Sequence, residues 1–416
     1  MTPDLPFPTM LNAGEALRQI LDASLRLNAE VVPLGRSFGR TLASDVVSDR
    51  DIPPFANSSM DGYAVRRSDL EGATAGKPIR LPLQGESRAG KPFSRSLGPQ
   101  SAIRVMTGAK VPDGADAVVP VEHTGPESDG SVTFQSCPPA SANIRLVGED
   151  IKKGELVMPR GKVITPSHAA VLASLGRASA RVTKPPRVAI VPTGDEVVAP
   201  GRKLREGQIY NSSSIALAGM VTECGAQPRL LGIAGDTKTR VKEAIRGALK
   251  DDVVLVTGGV SVGRYDIVRD VLADLGVKIR FWQVNIKPGK PLVFGTKGKK
   301  LVFGLPGNPV STGVTFLQFV RPALQKMLGR KDLRLSRLTA VADEPLRKTD
   351  GKRHFIRGIV RQEEGSFRVR TTGSQSSGVM SSLLKANCLI ILPEEKVEVK
   401  VGEEVEVEML PAGEWR

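Results

Sequence analysis

Four short segments place a glycine beside polar groups just where an apolar strand pattern gives out: Thr193-Gly194-Asp195-Glu196, Gly235-Asp236, Thr257-Gly258-Gly259 and Leu305-Pro306-Gly307-Asn308-Pro309. Glycine lets the backbone approach a ligand closely and adopt dihedrals closed to other residues, so consecutive amides can face an anion. The run Thr257-Gly258-Gly259-Val260-Ser261-Val262-Gly263 is a candidate phosphate cradle; it fits neither the P-loop nor the GxGxxG dinucleotide fingerprint. A glycine-rich turn without a ligand reads the same when it stands alone, but four such ends together favour a site. The nearby acids are Asp195, Glu196, Asp236 and Asp266. Hard oxygen ligands of this kind suit magnesium shared with phosphates better than zinc, although each acid alone also reads as a helix cap or surface group, Asp236 especially. Further on, Asn285-Ile286-Lys287-Pro288-Gly289-Lys290-Pro291 sets two lysines about a rigid Pro-Gly turn. Ammonium groups carried on a fixed backbone hold a small dianion, though a plain surface turn looks similar. The histidines His123, His168 and His354 are dispersed, which argues against a histidine-based centre.

These loops need a scaffold. Residues 184–330 alternate strands expected at 188–191, 229–234, 253–256, 278–284 and 300–303 with helices expected at 213–224, 238–249, 266–275 and 311–328. Residues 253–256 are apolar throughout, as in a strand covered on both faces, whereas Val241, Ala244, Ile245, Ala248 and Leu249 form a single helical stripe. Alternation of this kind predicts a doubly wound parallel sheet, with ligands outside the carboxyl ends of its strands near the point where strand order reverses. An earlier helix is expected at 14–27, with Asn12 and Glu15 as a capping pair and Leu17, Ile20, Leu21 and Leu25 on one face. Another is expected at 166–175, between Thr165-Pro166 and Gly176. Residues 51–147 carry short β-prone runs between Gly and Pro turns, and after 331 strands return, with Val397, Val399 and Val401 alternating before Val405 and Val407. The expected domains are 1–50 plus 148–183 (linking or dimerisation), 51–147 (inserted, β-rich), 184–330 (α/β) and 331–416 (C-terminal β).

Composition narrows the partners. A chain of 416 residues is long enough for several cores. The formal charge of +15 points to an anionic partner, but aromatics make up only 4% and no nucleic-acid reader motif is present, which argues against nucleic acid. Apolar runs are strand-sized and the first ten residues lack a signal pattern, so the expectation is a cytoplasmic protein without a membrane span. Three separated cysteines, Cys137, Cys224 and Cys388, without CxxC spacing argue against a disulfide framework or zinc site.

Taken together the motifs resemble the molybdopterin molybdenumtransferases, the MoeA family that includes the gephyrin E domain. The resemblance rests on residues 51–65 (DIPPFANSSMDGYAV), Met106-Thr107-Gly108-Ala109, Gly148-Glu149-Asp150, Thr193-Gly194-Asp195-Glu196, the loop 257–263, Lys287-Pro288-Gly289-Lys290-Pro291 and Leu305-Pro306-Gly307-Asn308-Pro309, all in family order. It implies a molybdopterin-binding α/β domain, a C-terminal β-barrel-like domain, and insertion of molybdate into adenylylated molybdopterin with magnesium-dependent release of AMP. The implied catalytic residues are Glu196, Asp236, Asp266 and Asp61, with Asp236 and Asp266 on the metal. Thr107, Thr193, Gly258, Gly259, Ser261, Pro306, Asn308 and Pro309 would bind the substrate; Lys287, Lys290, Ser311, Arg357 and Ser377 would bind molybdate. It further implies a homodimer in which a partner subunit brings Arg357 and Asp61 to the pocket, with molybdopterin adenylyltransferase and cofactor-accepting molybdoenzymes as transient partners. Two alternatives stand beside this reading: a non-catalytic molybdopterin-binding scaffold and a molybdopterin adenylyltransferase.

Overall fold

The computed structural model describes residues 10–259 and 267–411. It divides into two compact units, one built from Ser44–Pro159 with Pro166–Ala180 and the other from the rest of the described chain.

The larger unit carries a seven-stranded sheet: β1 Met10–Leu11, β2 Arg187–Pro192, β3 Gln227–Leu230, β4 Val253–Thr257, β5 Lys278–Val284, β6 Pro291–Lys297 and β7 Lys300–Leu305. Their spatial order is β1-β5-β6-β7-β4-β2-β3. All pairings are parallel except those of β6, which runs antiparallel to both neighbours. Both parities of each central strand are buried, which is why these segments read as unbroken apolar runs. Val188 and Ile190 of β2 enter one core while Ala189 and Val191 enter the other; Val253 and Leu255 of β4 part from Val254 and Val256 in the same way. The first core is closed by helices Ala13–Ala23 and Ser212–Glu223, the second by Lys238–Ala248 and Ile267–Asp274. The first helix starts as the sequence predicts, with Asn12 Oδ1 accepting from the Glu15 amide at 2.8 Å.

From β2 the chain crosses through Ser212–Glu223 to β3, then returns through Lys238–Ala248 on the opposite face to β4 on the far side of β2. Strand order therefore reverses between β2 and β4, and the loops leaving them diverge to leave a crevice.

Three expectations are corrected. No strand was expected between 284 and 300, yet β6 fills that gap with Leu292, Val293 and Phe294 fully buried; a short run between Pro291 and Gly295 becomes a strand because two neighbours offer it hydrogen bonds. The helix expected at 311–328 is Pro309–Thr315 and Arg321–Met327 joined by a π turn at Phe316–Val320. Pro322 has no amide hydrogen for the ladder, and the widened turn precedes it. Of the alternating valines, only Val399 turns inward; Val397 and Val401 are 60% and 59% exposed.

Beyond the sheet, strands Arg337–Ala342, Arg353–Glu363, Ser366–Thr371, Cys388–Leu392 and Glu404–Met409 close on themselves, because Arg353–Glu363 pairs with both Ser366–Thr371 and Cys388–Leu392. Val360, Val369, Ile390 and Val407 fill this five-stranded barrel. The segment Ile286–Lys287 leaves β5 and pairs parallel with Arg353–His354, so the lysine turn is clamped to the barrel wall. The smaller unit, taken by itself, holds a five-stranded sheet around Tyr63, Val65, Leu81, Val119, Val132 and Phe134, together with helix Pro166–Ser174. Among the described residues no helix is long and apolar enough to cross a membrane.

Leu255 lies mid-strand in β4 with no solvent exposure. Leu255→Ala should cost about 2–5 kcal/mol of unfolding free energy in urea titrations, against no more than ~0.5 kcal/mol for Val401→Ala.

Candidate active site

The ends of β2, β4 and β7 are tied into one row. The Thr193 amide and hydroxyl both donate to the Thr257 carbonyl, at 2.9 and 3.1 Å, and the Gly258 amide donates to the Leu305 carbonyl at 3.2 Å. Such packing leaves no room for side chains at the turn. Gly258 has φ +87°, and a Cβ there would sit 2.8 Å from the Thr193 carbonyl oxygen; at Gly259, φ +65°, it would meet Val268 Cγ2 at 2.9 Å.

Three adjoining cavities open along this row. One of about 420 Å³ lies between Thr193, Gly194, Glu196, Asp236, Gly258, Gly259 and Val268. A second, about 190 Å³, is lined by Thr193, Glu196, Tyr210, Asn211, Ser213, Asn308 and Pro309 among others. The largest, about 730 Å³, is bounded by Lys287, Lys290, Pro306, Asn308, Ser311, Lys352, Gln375, Ser376 and Ser377. Glu196 and Gly258 line all three, which makes them the hinge of a continuous trough with carboxylates at one end and ammonium groups at the other.

The structure thus gathers Thr193, Glu196, Asp236, Gly258, Gly259, Lys287, Lys290, Pro306, Asn308, Pro309, Ser311 and Ser377 at one edge of the sheet. Ser261 and Asp266 lie outside the described residues. Ser377 is held by the Asn308 amide, whose Nδ2 donates to its hydroxyl at 3.0 Å. Asp236 is not the cap of the helix behind it: Thr237 fills that position, accepting from the Arg240 amide. Instead Asp236 Oδ2 accepts from the Asp195 amide at 3.2 Å while Asp195 Oδ1 accepts from the Asp236 amide at 3.2 Å, a reciprocal tie between two loops.

Among the described residues no three carboxylate, imidazole or thiolate groups cluster as a closed metal site. Magnesium does not need one, because it keeps waters and takes phosphate oxygens beside one or two carboxylates. Glu196 and Asp236 facing one cavity, with room for a phosphate, fit that requirement.

Arg357 is placed differently from the expectation. It is 1% exposed and lines none of the three cavities described above, although it belongs to the same unit as they do. Its Nε donates to Ser382 Oγ and its terminal nitrogen to the Ser376 carbonyl, both at 3.2 Å, while its own amide donates to Gln375 Oε1 at 2.9 Å. It anchors from behind the segment that forms the wall. Burial pulls its guanidinium below the ordinary value.

Sequence reasoning missed Lys352, Gln375 and Ser376 on the wall, and the group behind them. Asp350 meets the Lys287 ammonium at 3.5 Å, the Lys352 ammonium at 3.2 Å and His354 Nε2 at 2.7 Å. Burial pushes the Asp350 carboxyl up, but hydrogen bonds from His354 and Lys352 outweigh it and hold the group well below the usual carboxylate range. Burial also pulls the His354 imidazole down, despite its bond to Asp350. At neutral pH the pair is therefore a carboxylate accepting from a neutral ring, its charge balanced by the two lysines. No motif marks these residues; the pairing of Ile286–Lys287 with Arg353–His354 delivers them.

In the smaller unit, Asp61 Oδ1 accepts from the Thr107 amide at 2.6 Å and its hydroxyl at 2.8 Å. Those bonds, the amide first, lower the Asp61 carboxyl. The pair stands preformed as a carboxylate beside a hydroxyl.

Two outcomes follow for the trough. Gly258→Ala should lower the melting temperature measurably and distort the loop, whereas Gly307→Ala, with its nearest neighbour 3.7 Å from the added carbon, should melt like the parent. Both His354 and Asp350 have folded values below their ordinary ones, so their stabilising contributions are full above 6.5 and 3.8 and are lost as pH falls and the unfolded chain takes up protons. Unfolding free energy should therefore drop between pH 7 and 5, and His354→Gln should flatten that part of the curve.

Comparison with known proteins agrees with this architecture. Residues 11–176 match the model of the MoeA N-terminal region (domain I and II), 189–326 that of a probable molybdopterin binding domain, and 339–410 that of the MoeA C-terminal region (domain IV). The chain is 37% identical to the molybdopterin molybdenumtransferase of Haemophilus influenzae, over 98% of this chain and 96% of that one. It is also 37% identical to molybdopterin molybdenumtransferase 2 of Mycobacterium tuberculosis, over 96% and 99%. The molybdopterin biosynthesis MoeA protein of Pyrococcus horikoshii superposes with a TM-score of 0.83 at 33% identity, covering 97% of this chain and all of that one (100%). With its mixed α/β sheet, its closed C-terminal barrel and full-length likeness of this degree, the chain belongs to the molybdopterin molybdenumtransferase, or MoeA, family.

Proposed function

We propose that this protein inserts molybdate into the dithiolene of adenylylated molybdopterin with magnesium-dependent release of AMP, the last step in making the molybdenum cofactor. The observation that carries the reading is the continuous trough in which Glu196 joins a carboxylate end to a lysine end. A substrate with a phosphate bridge and an incoming oxyanion needs both ends at once. The glycine turn at Gly258 and Gly259 lets the phosphate bridge lie close to the backbone. Lys287 and Lys290 attract the tetrahedral dianion, and the hydroxyls of Ser311 and Ser377 donate hydrogen bonds to its oxygens. Glu196 and Asp236 are the described residues that would hold magnesium, with Asp266 the third acid of the set. When bound, magnesium supplies charge neutralisation on the phosphates and polarises the bond to AMP. Fixed charges that need no reorganisation during reaction provide most of the rate.

A homodimer in the cytoplasm is the proposed working form, with the Asp61–Thr107 pair contributed by a second copy. Molybdopterin adenylyltransferase upstream and molybdoenzymes downstream are the proposed transient partners.

The test is AMP release and molybdenum incorporation from adenylylated molybdopterin, molybdate and magnesium. Glu196→Gln should lower turnover by roughly 10²–10³ with the fold intact, and Lys290→Ala should raise the half-saturating molybdate concentration. Release of pyrophosphate from ATP instead would identify an adenylyltransferase, and an unaltered molybdate dependence in Lys290→Ala would take the lysines out of the cradle.

A further inference from the structure

The lysine end of the trough holds one more cation than the motif suggests and, behind it, a counter-ion. Lys352 lines the same wall as Lys287 and Lys290, and Asp350 bridges two of the three, at 3.2 Å from Lys352 and 3.5 Å from Lys287. Asp350 does not line the cavity itself. It is also held by His354 Nε2 at 2.7 Å and by the Lys352 amide at 3.4 Å. His354 is itself buried, at 8% exposure, on the strand that clamps the lysine turn.

We propose that Lys352 is a third cation of the oxyanion cradle and that Asp350 is a tethered competitor, which an incoming dianion must displace from Lys287 and Lys352. The inference rests on the cradle reading given above. Three ammonium groups stand against one tethered carboxylate at this end, a local excess of positive charge that suits a tetrahedral dianion. The carboxylate also weakens the cradle. An oxyanion destined for transfer has to leave the lysines, and a charge already seated a few ångströms away lowers the cost of letting it go. The predicted consequence has a sign that a merely structural role cannot produce: removing the carboxylate charge destabilises the local network yet tightens oxyanion binding.

The experiment is titration calorimetry of the full-length protein with sodium molybdate at low ionic strength, comparing the parent, Asp350→Asn, Lys352→Gln and Lys290→Ala. Asp350→Asn is expected to bind molybdate roughly tenfold more tightly while melting at a lower temperature. Lys352→Gln should bind severalfold more weakly. Equal or weaker binding by a folded Asp350→Asn protein overturns the competitor role, and parent-like binding by Lys352→Gln overturns the third cation. Should Asp350→Asn fail to fold, the Lys352→Gln titration still decides whether the lysine belongs to the cradle, and Asp350→Ser supplies the missing charge removal in a smaller side chain. If molybdate binds none of these proteins, or Lys290→Ala binds like the parent, the cradle reading itself falls and this inference with it; failure of the competitor alone leaves the Lys290 effect in place.

Discussion

The constraint on which everything else depends is the parting of two neighbouring parallel strands. β2 and β4 lie side by side, hydrogen-bonded along their length, yet the chain enters and leaves them on opposite faces of the sheet. Loops that must diverge leave a crevice, and the crevice is open only where no side chain fills it. Glycines at 258 and 259 satisfy that condition, because any Cβ at either position would collide with Thr193 or Val268. The crevice is thus a by-product of connectivity that the local sequence then keeps clear.

A second dependence joins the barrel to the sheet. Two residues, Ile286 and Lys287, leave β5 and become a strand of another sheet, pairing with Arg353 and His354. This small ladder sets the height and direction of the lysine turn. It also explains why Lys352 and the segment 375–377 close the trough although they are distant in sequence. Arg357 belongs to this support: buried and hydrogen-bonded to Ser376 and Ser382, it shapes the wall from behind and lends the basin positive charge without offering its guanidinium to solvent.

Charge is sorted along the trough rather than spread. Carboxylates come from loops after β2 and β3, ammonium groups from the turn after β5 and from the barrel. Glu196, lying between them, carries negative charge up to the edge of the lysine end. In a partly desolvated groove such separation matters more than total charge, since nearby pairs interact strongly and distant ones are screened.

What the chain sequence by itself determined was the periodicity and the punctuation. Apolar runs at 188–191 and 253–256 mean strands covered on both sides, and glycines with polar neighbours after them mark the edge where the cavities open; both are local properties of side chains. The capping of the first helix by Asn12 was readable for the same reason. Other features arose only in three dimensions. β6 is a strand because it lies between β5 and β7, and its flanking proline and glycine disguise it. Val397 and Val401 alternate as a strand should, yet they face solvent at the two ends of a ladder only two residues long. Asp350, Lys352 and Arg357 have no spacing that links them to Lys287 or Ser377; barrel closure and a two-residue ladder bring them together. Local patterns record which way a side chain wants to face, while the meeting of remote side chains is settled by which backbone edges remain free to pair.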